Sequence, residues 1–275
     1  MIKKSSSTPI RIWLRDAADE LANAMIPSAL LDAEIILAHT LRKSRTWLHA
    51  HGDEPIDPRQ KEIAEARLQL RLERTPVAYI IGHKEFYGRL FKVTPASLIP
   101  RPESEALITL LDKYLAPSHK RLIDVGTGSG CLGITAKLEQ SHLRVTLADI
   151  SRHALKVAEE NARNLGASVE TIISNLMGNA GISYDCIVAN LPYVDKDWVR
   201  SPETDHEPAE ALFAGQNGLE LILKLIDQTE SYLSSKGLLL LEADPRQHTD
   251  IIRHAKQHGM THRETDGFAL VFTKN

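Results

Sequence analysis

Apolar residues recur at helical spacing from the start of the chain to about residue 75, and no alternating run interrupts them. RIWLRDAADEL is amphipathic, and Pro27-Ser28 precedes LLDAEIILAHTL, where Leu30, Leu31, Ile35, Leu37 and Ala38 predict the buried stripe of one helix. Asp57-Pro58 reads as an N-cap followed by proline at the first helical position, which has no intrahelical use for the missing N–H. The helix it starts runs to Arg74 and stops before Thr75-Pro76, because proline disfavours helical backbone in the residue before it. A small all-α domain over 1–78 is expected.

The texture then changes. EFYGRLFKV alternates around Gly88 and predicts a short hairpin, while LIPRPE carries two prolines that cannot sit inside a regular element, so 79–103 reads as a hairpin linker. Beyond it, strand-like runs (RLIDVG, RVTLADI, VETIIS, YDCIVAN, GLLLLEAD, FALVFTK) alternate with helical segments (CLGITAKLEQ, ALKVAEENARNLG, LELILKLIDQTESYL and one over 249–258). Such alternation predicts an α/β domain over 104–275, with a mostly parallel sheet covered on both faces and a ligand site beyond the carboxyl ends of its strands.

Composition narrows the function classes. Lys and Arg total 33 against 36 Asp and Glu, for a net charge of -3, and the pI is near 6.5. This lacks the basic excess of a protein that holds nucleic acid by its phosphates, so no direct nucleic-acid binding is expected. The two cysteines, Cys131 and Cys186, are too few for a disulfide framework and lack zinc-site spacing, which fits reduced thiols in a cytoplasmic setting. MIKKSSSTPIRIW is basic and serine-rich but leads into an amphipathic segment, so neither a secretion signal nor a membrane span is expected.

Asp124-Val125-Gly126-Thr127-Gly128-Ser129-Gly130 follows a strand and opens a helix, and its glycines allow a tight turn and close approach of backbone to a ligand. Gly128, Gly130 and Gly133 also satisfy the dinucleotide spacing GxGxxG, which keeps a nicotinamide or flavin cofactor in view. Asp149 ends the next strand, where a carboxylate accepts from ribose hydroxyls of either cofactor type. Asp124, placed at the mouth of the loop, would repel a pyrophosphate and attract an ammonium and a sulfonium, as in S-adenosylmethionine. The structural alternative is that Asp124 only caps a turn.

Asn190-Leu191-Pro192-Tyr193 ends the buried run YDCIVA. A planar NH2 group offers two donors in one plane, and the Asn190 carboxamide oxygen with the Leu191 carbonyl can accept both. That grip favours a pyramidal nitrogen and aims its lone pair at an activated methyl. Pro192 is expected to stiffen the turn and Tyr193 to wall the flat group by stacking.

At this point the chain resembles the release factor glutamine methyltransferases, the PrmC/HemK family, over nearly its whole length. The carriers are Pro76, Tyr79, Ile80 and Gly82 in PVAYIIG, and Phe86, Gly88, Phe91 and Val93 in FYGRLFKV. They continue with Leu98, Ile99, Pro100, Arg101, Pro102, Glu103 and Glu105, then DVGTGSG and NLPY. The resemblance implies a Rossmann-like class I methyltransferase with a seven-stranded, mostly parallel sheet, behind a helical domain that helps recognise the protein substrate. It implies S-adenosyl-L-methionine as methyl donor and, as acceptor, the glutamine of the Gly-Gly-Gln motif of class I peptide chain release factors. Carried over by position, Asp124, Gly126, Thr127, Gly128, Ser129, Gly130, Asp149, Asn175, Leu176 and Asn190 would meet the cofactor. Asn190, Leu191, Pro192 and Tyr193 would hold the glutamine. The sequence departs from the family at Leu191, where a proline is usual, at Asn175, where Asp is usual, and at Ala243-Asp244, where glycine is usual. NLPY is also the spelling of ribosomal RNA adenine dimethyltransferases, so an RNA or DNA adenine amine is the alternative acceptor. A monomer is expected.

Three further signals are read as structural. His254, His258 and His262 recur every fourth residue, but Gly259 would break their helix and no carboxylate or cysteine completes a set, so a solvated end and no metal are expected. Cys131, at a helix start that could lower its pKa, reads as small-residue packing beneath the loop. Arg67, Arg71 and Arg74 read as a solvated stripe, with an acidic protein surface as the alternative. The long connection over 194–218 is a candidate lid.

Overall fold

The structure, a computed structural model, describes residues 8–275; the basic, serine-rich start of the chain lies outside the described residues. The chain divides into two compact units between Gly82 and His83.

The first unit is helical: α1 Ile10–Asn23, α2 Ala29–Leu41, α3 Arg45–Ala50, α4 Pro58–Leu72 and α5 Val77–Ile81. The Asp57 carboxylate accepts from the N–H groups of Arg59 and Gln60, with Pro58 inside the first turn, as the sequence predicts. Trp13, Leu21, Ile36, Leu37, Leu48 and Leu68 build the core.

The α2 stripe differs from the one predicted. Leu30 and Leu31 are exposed, and the buried positions are Asp32, Ala33, Glu34, Ile36, Leu37 and Ala38. The helix turns this way because its acids have partners. Asp32 Oδ2 accepts from Arg71 Nε at 2.7 Å, and Glu34 accepts from Arg45 Nε at 2.8 Å. The arginines of α4 and its end are therefore not a solvated stripe. Arg71 is buried, Arg67 donates to Thr40 Oγ1 at 2.8 Å, and Arg74 donates to the carbonyl of Ala24 at 2.5 Å. Asp32→Ala removes the carboxylate that pairs with buried Arg71 and should cost about 3–5 kcal/mol. A lower denaturation midpoint of the helical unit, with unchanged melting of the second, is the expected reading.

The second unit opens with the hairpin β1 His83–Phe86 and β2 Arg89–Lys92. Its turn residues Tyr87 and Gly88 both have positive φ, as the tightest hairpin turns require. Then follow α6 Glu105–Tyr114, β3 Arg121–Val125, α7 Cys131–Glu139, β4 Arg144–Asp149, α8 Arg152–Leu165, β5 Glu170–Ile173 and β6 Tyr184–Ala189. The chain ends with α9 Ala209–Leu212, α10 Glu220–Tyr232, β7 Leu233–Glu242, α11 His248–Gln257, β8 Met260–Asp266 and β9 Ala269–Lys274.

The sheet has seven strands in the order β5-β4-β3-β6-β7-β9-β8. β5 through β7 are parallel and β9 and β8 antiparallel, which is the mixed, doubly wound arrangement expected. The strand-like runs of the sequence lack β8, whose MTHRETD is mostly polar because it forms the sheet's edge. Alternate residues of the central strands enter opposite cores: Ile123, Val125, Ile187 and Ala189 on one face, Leu122, Cys186 and Val188 on the other.

The path of the chain sets the site. From β3 it moves outward through β4 to β5, then returns to add β6 on the other side of β3, so the order reverses between these neighbours. Val125 is paired with Ala189. The glycine loop and the Asn190 tetrapeptide therefore leave the same sheet edge side by side.

Candidate active site

A cavity of about 380 Å³ lies beyond those strand ends, within the second unit. Gly126, Thr127, Gly128, Ser129, Asp149, Asn175, Leu176, Asn190, Leu191 and Pro192 line it. Most residues singled out in the sequence are thus brought together; Asp124, Gly130 and Tyr193 are the three that do not line it, and Gly130 instead lies against Ile134 and Ala158.

The loop is held by β4. Ala148 O accepts from the N–H of Gly126 at 2.8 Å and of Thr127 at 3.0 Å, and Asp149 Oδ2 accepts from Gly128 N–H at 2.9 Å. Gly133 serves packing: a Cβ there would lie 2.4 Å from Leu147 Cδ2 and 2.9 Å from Asp124 Cβ. Its place in a GxGxxG spacing therefore reflects how closely α7 lies on the sheet. Asp149 Oδ1 accepts from Ser151 N–H at 2.8 Å, so each carboxylate oxygen keeps a lone pair to offer. Burial raises its pKa, opposed by these backbone donors.

Asp124 corrects the sequence reading. It is buried, and its Oδ2 accepts from Thr127 Oγ1 at 2.6 Å and Gly133 N–H at 2.8 Å, tying the loop to the start of α7. The pleat is the reason. Asp124 falls on the same face of β3 as Leu122, beneath α7, and cannot look out of the loop mouth. Its charge therefore does not face a ligand at the loop mouth, and the choice between cofactors does not rest on it. Desolvation pushes its carboxyl up to about 6, against the lowering by Thr127 and Gly133. A folded-state pKa above the unfolded 3.8 means that the protonated form is favoured by folding. This contribution is full below the unfolded value and is lost as pH rises through about 6. Asp124→Asn keeps the acceptor for Thr127 and Gly133. It should remove that decline, so that unfolding midpoints at pH 5 and pH 8 differ less than in the wild type.

Asn190 is positioned by two residues the sequence reading did not assign. Its Nδ2 donates to Ser104 Oγ at 3.0 Å, Ser104 Oγ donates to Glu242 Oε2 at 2.5 Å, and Tyr193 Oη donates to Glu242 Oε1 at 3.1 Å. A carboxylate only accepts, so the Ser104 proton points to Glu242 and its oxygen receives the amide of Asn190. The carboxamide orientation follows, with Oδ1 as the end that Ser104 does not engage. Tyr193 packs against the core and uses its hydroxyl as a tether, so the stacking wall expected of it is not seen at this cavity. Burial, then Glu242, push the Tyr193 phenol well above its ordinary range, and burial raises Glu242.

The connection over 194–218 covers part of the cavity, to which Pro208, Glu210, Ala211 and Phe213 contribute. Buried Glu207 ties it to the proline-rich stretch by accepting from Ile99 N–H at 3.1 Å and from Arg101. Its far end is fastened as well. Gln247 Nε2 donates to Tyr193 O at 2.9 Å and Asn217 O at 2.8 Å. Gly218 has φ +81°, and a Cβ there would lie 1.9 Å from Tyr193 O, so only glycine fits. Cys131 lines the cavity and desolvation pushes its thiol up to about 12, opposite to a helix-start activation. Ile150, a rim residue 63% exposed, was not singled out in the sequence.

A doubly wound sheet with a glycine loop after its first strand, a carboxylate after the second and an oriented carboxamide at the switch point defines a Rossmann-like methyltransferase. The family described as PrmC N-terminal domain matches residues 13–82, and the methyltransferase small domain matches 102–206. The release factor glutamine methyltransferase of Koribacter versatilis is 39% identical over 241 residues, covering 83% of this chain and 86% of that one. That of Coxiella burnetii is 40% identical, covering 77% and 78%. A methyltransferase from Pyrococcus furiosus shares the fold at 19% identity, with a TM-score of 0.54 over 77% of this chain and 98% of that one. The chain belongs to the release factor glutamine methyltransferase family. No helix among the described residues is long and apolar enough to cross a membrane.

Proposed function

We propose that the protein transfers a methyl group from S-adenosyl-L-methionine to the side-chain amide nitrogen of the glutamine in the Gly-Gly-Gln motif of class I release factors. The observation that carries this reading is the Asn190 carboxamide, oriented through Ser104 and Glu242 and lining the same cavity as the glycine loop.

The residues fit the cofactor. Asp149 has acceptor capacity left for ribose hydroxyls, Ile150 and Leu176 offer apolar walls for a purine, and Asn175 can accept from its amine. A Cβ at Gly128 would meet nothing within 4 Å, so backbone there leaves room for a ligand. When bound, the cofactor supplies an electrophilic methyl. The protein's part is orientation. Asn190 Oδ1 and the Leu191 carbonyl accept the two N–H protons of the glutamine amide and favour a pyramidal nitrogen whose lone pair faces the donor. The leaving proton already lies in a hydrogen bond, and no strong base is needed beforehand. Leu191 in place of the usual proline keeps the accepting carbonyl.

The test is incubation with methyl-labelled S-adenosylmethionine, a release factor and ribosomal RNA together. Label on the glutamine is expected. Label in RNA alone, at an adenine amine as the NLPY spelling allows, would overturn the reading.

A further inference from the structure

We infer that Asp227, His254 and His258 form a binding site for a divalent transition-metal ion of the zinc, nickel or copper class, on the face shared by α10 and α11. Among the described residues, no carboxylate of their own helix joins these histidines. Asp227, from the neighbouring helix, supplies it.

One ligand atom from each of the three residues can be chosen so that all lie within 4.8 Å of one another. His254 Nε2 lies 2.6 Å and His258 Nε2 3.2 Å from the same oxygen, Asp227 Oδ1. The two imidazoles sit four residues apart on one helical edge, with ring centroids 4.6 Å apart. His254 belongs to the last turn of α11 and His258 is its C-cap, while His262 has left the helix for β8.

Chemistry selects the ion. Two imidazole nitrogens and one carboxylate oxygen suit zinc, nickel or copper, whereas magnesium and calcium prefer oxygen alone. Bonds of about 2.1 Å place tetrahedral ligands roughly 3.4 Å apart. The His258–Asp227 distance of 3.2 Å is already close to this. The His254–Asp227 contact of 2.6 Å needs to open by less than about 1 Å, within reach of an aspartate side chain that is half exposed. The histidine side chains are 26% and 29% exposed, so solvent can deliver the ion and complete its coordination. None of the three lines the methyltransferase cavity. The ion would clip α10 to α11, the helices that precede β7 and β8.

Titration calorimetry of the full chain with zinc and with nickel, in a buffer that does not chelate, tests the site. One equivalent is expected to bind, and Asp227→Asn, His254→Gln and His258→Gln should each weaken it at least tenfold. Cobalt should give visible absorption that the same variants lose, and zinc should raise the melting temperature of the wild type only. Unchanged methyl transfer verifies that each variant is folded, since none touches the catalytic cavity. Absence of binding, or binding and melting shifts that persist in all three variants, would overturn the site.

Discussion

Asn190→Ala is expected to lower methyl transfer by about 100-fold or more, the scale of deleting one preorganised hydrogen-bonding group in an active site, while S-adenosylmethionine still binds. The loss should lie in kcat, because the carboxamide acts on the reacting nitrogen and the loop, Asp149 and Asn175 remain for the cofactor. Asn190→Asp is the sharper variant. It keeps an oxygen but cannot donate to Ser104, whose proton is committed to Glu242. It also adds a carboxylate beside a buried acid. A turnover assay, paired with calorimetric titration of the cofactor, separates the two steps. Either variant turning over at the wild-type rate would remove Asn190 from the mechanism.

Glu242→Gln is expected to lower kcat by roughly 10-fold to 100-fold with cofactor affinity retained. Glu242 is buried and collects two hydroxyl donors, Ser104 and Tyr193. A glutamine there has one acceptor and one donor end, so one of those hydroxyls must reverse. If Ser104 reverses, it no longer presents a bare oxygen to Asn190, and the carboxamide loses its single orientation. Roughly 1.4–2.7 kcal/mol of transition-state stabilisation corresponds to this range. Ser104→Ala should fall in the same direction, because it takes the shared hydroxyl from both Glu242 Oε2 and Asn190 Nδ2. A general loss of fold would lower the melting temperature and cofactor affinity together. A positioning role lowers kcat alone, and unchanged kcat in both variants would show that Asn190 is oriented by something else.

Particular residues mark how far the sequence carried. The glycine loop, Asp149 and Asn190 were legible because each sits at or just after the end of a strand, and strand ends are readable from apolar runs and the breakers that follow them. Asp124 was legible as a loop acid but not as a buried one. Its direction depends on pleat parity and on which face α7 covers, and neither is local. Ser104 and Glu242 are separated by 138 positions, and nothing in either neighbourhood announces the other. Asp227 stands 27 positions before His254 on a different helix, so the missing carboxylate was invisible to spacing along one segment. The α2 stripe failed for a related reason. Asp32 and Glu34 count as polar in any local pattern, and partners such as Arg71 and Arg45, distant in the chain, make their burial tolerable.

By itself the sequence determined the helical first domain, the alternation of strands and helices behind it, and the family to which the chain belongs. Hydrophobic period, prolines and glycines act over a few residues and need no partner to be read. Tertiary structure alone decided which side chains face the cavity, which acids are tethers, and how the Asn190 carboxamide is turned. Those depend on pleat parity and on hydrogen bonds between residues far apart in the chain, and both come into being only when the sheet closes.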